Sequence, residues 1–396
     1  MGEGPGTLWV EVRAEMFADF DFGLTDEQEE RATRLHAESI IIDTLFQGPC
    51  GYRSFTDEMV EQLKSEFEEH RQVDKGLWSA VQMPIRSAIK GEFPDFYTCW
   101  HDSGLTAGNR QTGVDAPGDD LATYALNQAQ FDNLPWLIKA TRAEDFRRAK
   151  QDDIHAGFVS TQNTLQFGND LSKLDESWDF GMRMIQLTYN SVNFVAGGCT
   201  DRVDCGVTDF GKKFIARMNE LGIIVDTGHC GKQTTLDACE LSTAPVVASH
   251  TSAEAVHKHD RAKSDEELQA IAATGGYIGV YAVGMFLTNE QPATIEHMLD
   301  HIDHIAKLVG PEYVGIGSDW PMQAPEWGLQ MLARYAMEIG FREEHGVTTP
   351  KNLIGFDDYR DFPNITRGLV ARGYSDDDIR GILGDNFLRV FEEVCG

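Results

Sequence analysis

The chain has 396 residues, 41% of them hydrophobic, which is enough to bury a sizeable core. Its 34 Lys and Arg residues against 64 Asp and Glu residues give a formal net charge of −30. A surface this acidic is repelled by nucleic-acid phosphates and by anionic membranes, so we exclude nucleic acid and membrane surfaces as partners. No stretch approaches the ~18 consecutive apolar residues that a membrane-spanning helix needs.

The start of the chain is predicted to be an extension, residues 1–24, which precedes a single catalytic domain over residues 25–396. Residues 1–22 are acidic and interrupted by Gly and Pro, without the basic start and apolar run of a signal peptide. The seven Cys are odd in number and form no disulfide framework, so we expect reduced thiols in a cytoplasmic protein. A bridge between Cys199 and Cys205 is the less favoured alternative.

The first predicted helix begins after Thr25, which forms a capping box with Gln28, and continues through Glu38. Eight short apolar runs are predicted strands: 40–43, 77–81, 157–161, 184–189, 222–227, 245–249, 277–282 and 314–317. They are continuous rather than alternating, as is typical of parallel strands buried on both faces.

Helical patterns such as 210–221, 266–273 and 295–308 separate most of these strands. Eight strand–helix units predict an α/β fold, a TIM (β/α)8 barrel. An open doubly wound sheet is the alternative, but no Gly-x-Gly-x-x-Gly motif follows an early strand. Segments 84–147 and 321–381 exceed a plain barrel, and we predict them to be mostly helical insertions.

Three polar side chains lie where predicted barrel strands end. His229 follows the fifth strand, His250 the sixth and Asp319 the eighth. Residues at the carboxyl ends of the strands line the mouth of a TIM barrel, where catalysis takes place. Two His and one Asp from separate strands therefore predict a site for a divalent metal ion.

From about residue 26 to residue 393, the sequence resembles the renal (membrane) dipeptidase family, the M19 peptidases of the amidohydrolase superfamily. The resemblance is carried by 186–190, 206–211, 218–219, 222–229, 249–253, 259–261 and 383–390. Residues 77–79 look like the family's second barrel strand. The resemblance implies a TIM barrel of the amidohydrolase type and a homodimer.

The resemblance also implies roles for individual residues. The family binds two zinc ions, and His229 and His250 match the two His that hold the second ion. Asp319 matches the family's proton-transferring Asp. Arg261 matches the Arg that pairs with the substrate carboxylate, a role that suits a planar guanidinium.

The first half of the family's metal site is replaced. Where the family has Asp-Gly-His-Asn-Asp, this chain has Asp-Thr-Leu-Phe-Gln at 43–47, so Leu45 stands in place of a ligand His and Gln47 in place of an Asp. Gln162 stands in place of the bridging Glu, and Tyr189 in place of a further active-site His. Fewer charges and fewer ligands weaken metal binding, so we predict one divalent metal, zinc, or none.

Two interpretations follow. In one, His229, His250 and a third group, Asp319 or Gln162, hold a single metal that activates water or polarises a carbonyl. In the other, no metal binds, and His229, His250, Asp319 and Tyr189 act as catalytic acids, bases or hydrogen-bond donors. The predicted substrate-binding residues are Arg261, Gln162, Tyr189 and Asn190.

The predicted function is a dipeptidase-like hydrolase that acts on a small, carboxylate-bearing substrate derived from amino acids. The alternatives are a lyase, isomerase or decarboxylase on the same barrel, and an inactive homologue that binds a ligand. Three weaker candidates have structural explanations that we favour: the His257 and His259 pair, the His297 and His301 pair at helical spacing, and Cys230 beside His229.

Overall fold

The computed structural model describes residues 20–46, 56–70, 82–111, 120–319, 340–347 and 352–396. The strands are β1 Ile42–Asp43, β2 Ala107–Gln111, β3 Leu137–Lys139, β4 His155–Thr161, β5 Met182–Gln186, β6 Ile224–Asp226, β7 Val246–Thr251, β8 Tyr277–Val280 and β9 Val314–Ile316.

The helices are α1 Asp26–Glu38, α2 Asp57–His70, α3 (residues 82–89), α4 Asp95–Asp102, α5 Asp120–Asn133, α6 Ala143–Gln151, α7 Ser172–Asp179, α8 Asp209–Leu221, α9 Lys232–Leu241, α10 Asp265–Ala273, α11 Gly284–Leu287, α12 Ile295–Val309, α13 Phe362–Ala371, α14 Asp376–Arg380 and α15 Asn386–Cys395. Short 3-10 turns span Leu165–Phe167, Pro311–Tyr313, Glu343–His345 and Tyr359–Asp361, and a π-helical turn over Gly381–Asp385 joins α14 to α15. No helix in the described ranges has the length and apolar character needed to cross a membrane.

Eight parallel strands follow one another in the order β1-β2-β4-β5-β6-β7-β8-β9, and β3 pairs with β4 beside this path. The first and last strands lie close to each other, as the hydrogen bond of 3.1 Å from the Thr44 N–H to the Ile316 carbonyl shows. The Ser318 N–H donates to the Asp43 carboxylate at 2.8 Å. The sheet is therefore a nearly closed barrel, and the predicted TIM barrel is confirmed.

The second barrel strand differs from the prediction. The predicted run 77–81 lies outside the described residues, and the neighbour of β1 is β2, inside the segment that we predicted to be a helical insertion. The residues of β2 include Gly108, Asn109 and Arg110, so the strand lacks an apolar run. Asn109 is nevertheless buried, because its side chain accepts from the Phe46 N–H and donates to Ser160 Oγ. Hydrogen bonding here compensates for the missing hydrophobic pattern.

The amino-terminal end of the barrel is filled by aromatic rings. Phe387 of α15 packs on Tyr277 and Phe158, with ring centroids 5.2 and 5.3 Å apart. Arg389 on the same helix donates to the carbonyl of Gly275, just before β8 begins. Packed side chains therefore close this end of the barrel.

The capping box predicted for the first helix is confirmed, and the helix predicted over 210–221 corresponds to α8. Thr25 and Gln28 form the predicted capping box, with Gln28 N donating to Thr25 Oγ1 and Thr25 N donating to Gln28 Oε1. Helix α8 begins after Thr208 and ends at Gly222, whose φ of 70° gives the left-handed turn that glycine favours. Most of the predicted N-terminal extension, residues 1–19, lies outside the described residues.

Candidate active site

The carboxyl ends of β6 and β7 bring His229 and His250 into direct contact. Their Nε2 atoms lie 2.8 Å apart, and their ring centroids are separated by 4.8 Å. Both side chains are buried, with 4% and 0% of their surfaces exposed. The strand-end pattern therefore correctly predicted two His that meet at the barrel mouth.

Hydrogen bonds at the far side of each ring orient the two imidazoles. His229 Nδ1 donates to Asn190 Oδ1 at 2.7 Å, so its Nε2 carries a lone pair. His250 Nδ1 lies 2.8 Å from Ser249 Oγ, which donates to Asp226 Oδ2 at 2.6 Å. While Asp226 is ionised, Ser249 accepts from His250, and the second Nε2 also carries a lone pair. A distance of 2.8 Å between the two Nε2 atoms is that of an N–H···N hydrogen bond, so a proton between them fits this spacing. Two nitrogen atoms that share a zinc ion through bonds of about 2.0–2.1 Å lie roughly 3.3 Å apart, so the two rings would have to separate slightly to bind one.

Electrostatics keeps both rings neutral. Burial lowers the pKa of His229 and of His250 well below the usual value, and the nearby positive charges of Arg261 and Lys263 lower it further. Burial also raises the pKa of Asp226, against the N–H and O–H donors that favour its ionised form. Neutral imidazoles are the form that binds metal ions.

Tyr189 and Asn190 both act on His229. The Tyr189 ring stacks on the imidazole, with centroids 3.9 Å apart and planes inclined by 22°. Asn190 has a left-handed φ of 59°, and its side-chain oxygen accepts the His229 Nδ1 proton. The substrate-binding role of Asn190 stays a prediction, and in this structure its side-chain amide fixes the orientation of the His229 ring.

Arg261 presents half of its guanidinium without a partner. Its NH1 donates to the Gly228 carbonyl, and its Cζ lies 5.9 Å from the centre of the Tyr281 ring. Nε and NH2 are buried and have no hydrogen-bond partner among the described residues. These two atoms form the edge of the guanidinium that binds a carboxylate through two parallel hydrogen bonds.

Asp319 lies at the end of β9 with a left-handed φ of 54°, and its N–H donates to the Leu45 carbonyl at 2.9 Å. Within the described ranges, no group of three or more His, Cys, Asp or Glu side chains is placed to hold a metal ion. The role of Asp319 as a third ligand beside His229 and His250 stays a prediction. Leu45, which replaces a ligand of the family, is a buried aliphatic residue, and Gln47 lies outside the described residues.

Two glutamines extend the site toward β4 and β5. Gln162 follows β4 directly, and its Nε2 is buried without a partner in the described part of the chain. Gln186 is the last residue of β5, and its Oε1 is likewise buried without a partner. Sequence reasoning missed Gln186, although the strand-end rule that found His229 applies equally to the carboxyl end of β5.

The weaker histidine candidates have structural partners. His301 accepts from the Ala253 N–H through Nδ1 and lies 3.0 Å from the Leu287 carbonyl through Nε2. His297 accepts from the Thr294 N–H at the start of α12. Because both rings are used locally, the two His do not form a metal pair at helical spacing.

The cysteine candidates are also explained by structure. Cys230 is buried, and burial raises the pKa of its thiol to about 12, which suits a structural group rather than a nucleophile. Cys199 and Cys205 are not joined by a disulfide.

Comparisons with known proteins agree with this architecture. The profile of the membrane dipeptidase family (peptidase family M19) matches residues 29–337 and 339–395. The chain is similar to the dipeptidase tcpJ of Claviceps purpurea (strain 20.1), with 28% identity over 259 residues, which is 64% of this chain. The match covers 55% of that relative, so the chain spans about half of its length.

Two solved structures share the fold. An amidohydrolase from Pseudomonas aeruginosa has 26% identity and a TM-score of 0.73, over 92% of this chain and 98% of that one. The probable dipeptidase PvdM from the same organism has 21% identity and a TM-score of 0.68, over 94% and 99% of the two chains.

Proposed function

We propose that this chain, which belongs to the membrane dipeptidase family (peptidase family M19), hydrolyses an amide bond. The proposed substrate is small, dipeptide-like and carries a carboxylate. One observation carries the proposal: the unpartnered edge of buried Arg261 lies beside the histidine pair, anchored through NH1 on the residue that precedes His229. A buried guanidinium without an anion is costly, and a substrate carboxylate would relieve that cost.

A centre of two zinc ions does not fit, because Leu45 has no donor atom and Gln162 is a neutral amide where a bridging carboxylate is needed. A single divalent ion would be held by Nε2 of His229 and Nε2 of His250, which lie 2.8 Å apart and would have to separate by about half an ångström to share it. When bound, such an ion, zinc by preference, polarises a carbonyl and activates water.

The remaining roles belong to residues of the chain. We assign proton transfer to Asp319, at the end of the strand that closes the barrel. Tyr189 holds the His229 ring in place and borders the substrate. Gln162 donates to a substrate oxygen through its unpartnered Nε2, and Arg261 fixes the carboxylate, so the reacting bond lies next to the histidine pair.

A second candidate function follows from the same replacements. Leu45 and Gln162 remove ligands that water activation by two metals requires, while the histidine pair and Asp319 retain acid–base groups. A lyase, isomerase or decarboxylase that moves protons on the same type of substrate is the reaction class that these residues favour next.

The decisive experiment compares L-Ala-L-Ala with its C-terminal amide, using protein purified without chelators and analysed for metal content. We expect release of alanine from the free acid and at least a tenfold lower kcat/KM for the amide. Arg261→Lys should reduce this preference, because lysine keeps the charge and loses the two parallel donors.

Arg110→Lys is the matched control, since Arg110 is a buried arginine with unpartnered atoms that lies on β2, whereas Arg261 lies in the loop after β7. Equal turnover of acid and amide would refute carboxylate recognition. No turnover of any dipeptide, with carboxylate-dependent binding retained, would transfer support to the second candidate function. The cytoplasmic location and the homodimer remain predictions, and light scattering after size-exclusion chromatography tests the latter.

A further inference from the structure

We propose that Gln186 accepts a hydrogen bond from an N–H group of the substrate, so that the site selects amides over esters, ketones and simple dicarboxylates. This inference rests on the proposed function and names the substrate class more closely. It assigns a specificity-determining role to a residue of β5 that carries no role in the reaction described above.

The orientation of the Gln186 amide is fixed by its surroundings. Nε2 lies 2.5 Å from the Gln162 carbonyl oxygen and 2.9 Å from the Thr188 carbonyl oxygen. Both of these atoms are acceptors, so the nitrogen of the amide must face them and the oxygen must point the other way. Oε1 is therefore a defined acceptor that has no partner among the described residues.

Gly228 shows where this acceptor points. A Cβ added at Gly228 would lie 2.7 Å from Gln186 Oε1 and 3.0 Å from Nδ1 and Cε1 of His250. The carbonyl of the same glycine anchors Arg261 NH1. Gln186 Oε1 and the His250 ring therefore lie against Gly228, the residue whose carbonyl holds the Arg261 guanidinium through NH1.

The chemistry of these groups defines the ligand. The Arg261 edge requires a carboxylate, Gln186 Oε1 requires a donor, and Gln162 Nε2 requires an acceptor. An N-acyl amino acid or a dipeptide supplies a carboxylate, an N–H and an oxygen within a few bonds of one another. An ester or a ketone of the same shape would leave Gln186 Oε1 buried and unpaired, which costs about 1–3 kcal/mol and corresponds to roughly 5- to 150-fold in affinity.

The test uses three probes that resist hydrolysis, titrated calorimetrically into the full chain. N-methylsulfonyl-alanine carries the N–H, 2-methyl-3-(methylsulfonyl)propanoate replaces the N–H with CH2, and N-methylsulfonyl-alaninamide lacks the carboxylate. We expect the first probe to bind about tenfold to a hundredfold more tightly than the second. Gln186→Met should bring that ratio close to one.

Gln130→Met is the matched control, because Gln130 is also buried with an unpartnered Oε1 but lies on helix α5. It should keep the full preference. Gly228→Ala is the second variant should Gln186→Met fail to fold, since its Cβ would press on Gln186 Oε1 and should also abolish the preference. Because the same Cβ would lie 3.0 Å from His250, this variant counts only if it still binds the first probe more tightly than the third.

The outcomes separate this inference from the proposed function. Equal binding of the first two probes, or a preference that survives in Gln186→Met, would overturn the role of Gln186 and leave carboxylate recognition intact. Equal binding of the first and third probes would overturn the proposed function and this inference with it. The absence of binding of any probe at 10 mM, about the weakest binding that calorimetry resolves, would do the same.

Discussion

Replacing Asp43 with asparagine is expected to flatten the pH dependence of stability. Asp43 is completely buried at the seam between β1 and β9, where it accepts from the N–H groups of Leu45 and Ser318 and from the Ser318 hydroxyl. Burial raises the pKa of this carboxyl from 3.8 to about 7, despite these donors. The folded chain therefore keeps a proton that the unfolded chain releases between pH 4 and pH 7.

The sign and the size of the effect follow from this difference. Because the folded state binds more protons in that range, the free energy of unfolding falls as the pH rises from about 4 to about 7. A shift of about 3 pKa units at 1.36 kcal/mol each gives at most about 4 kcal/mol from Asp43. Asparagine keeps an acceptor for the two N–H groups and does not titrate, so the variant lacks this contribution.

Urea unfolding followed by tryptophan fluorescence would measure the free energy of unfolding of wild type and Asp43→Asn. A series at pH 4.5, 5.5, 6.5 and 7.5 spans the raised pKa of Asp43. Other titrating groups, such as Asp361, whose pKa burial also raises to about 7, affect both proteins equally and cancel in the comparison. The gap between wild type and Asp43→Asn should change by several kcal/mol across the series. Parallel curves would mean that Asp43 is ionised in the folded chain throughout, and the reasoning would be refuted.

Three further predictions concern the site and the core. Asn190→Ala removes the acceptor that orients His229, so zinc affinity measured by competition with a chromophoric chelator should fall about 10- to 100-fold, and unchanged affinity would contradict the orienting role. His250→Ala should abolish zinc binding in elemental analysis, and full retention of metal would place the ion elsewhere. Phe387→Ala should lower the free energy of unfolding by about 3–5 kcal/mol, because Phe387 is buried. The control Phe194→Ala, at a ring that is 60% exposed, should change it by less than about 0.5 kcal/mol. Similar losses in both variants would mean that Phe387 does not close the amino-terminal end of the barrel.

The barrel could be predicted because most of its strands are short apolar runs, and the histidine pair because both residues end such runs. Strand β2 could not be predicted in this way, since its burial depends on hydrogen bonds that Asn109 makes with residues far away in sequence. The contact between Asn190 and His229 could not be predicted for a related reason. A sequence shows an amide beside an aromatic residue, whereas its bond to His229 depends on a left-handed backbone and on the distance between two strands.

Gln186 shows a different limit of sequence reasoning. Its position at a strand end could be predicted from the sequence. Its proposed role depends on Oε1, which has no partner among the described residues while Nε2 donates two hydrogen bonds. Such a residual hydrogen-bonding capacity is visible only when every neighbour is known.

The seam between β1 and β9 also bears on how the protein is made. The bond between Ser318 and Asp43 joins positions 275 residues apart, so the ring of strands cannot close until nearly the whole barrel has been synthesised. At ordinary rates of translation, roughly 15–60 s pass before Ser318 is added. During most of that time one edge of β1 has no strand to pair with. We expect newly made chains to depend on chaperones during this interval, and the strong negative charge to limit the association of neighbouring nascent chains.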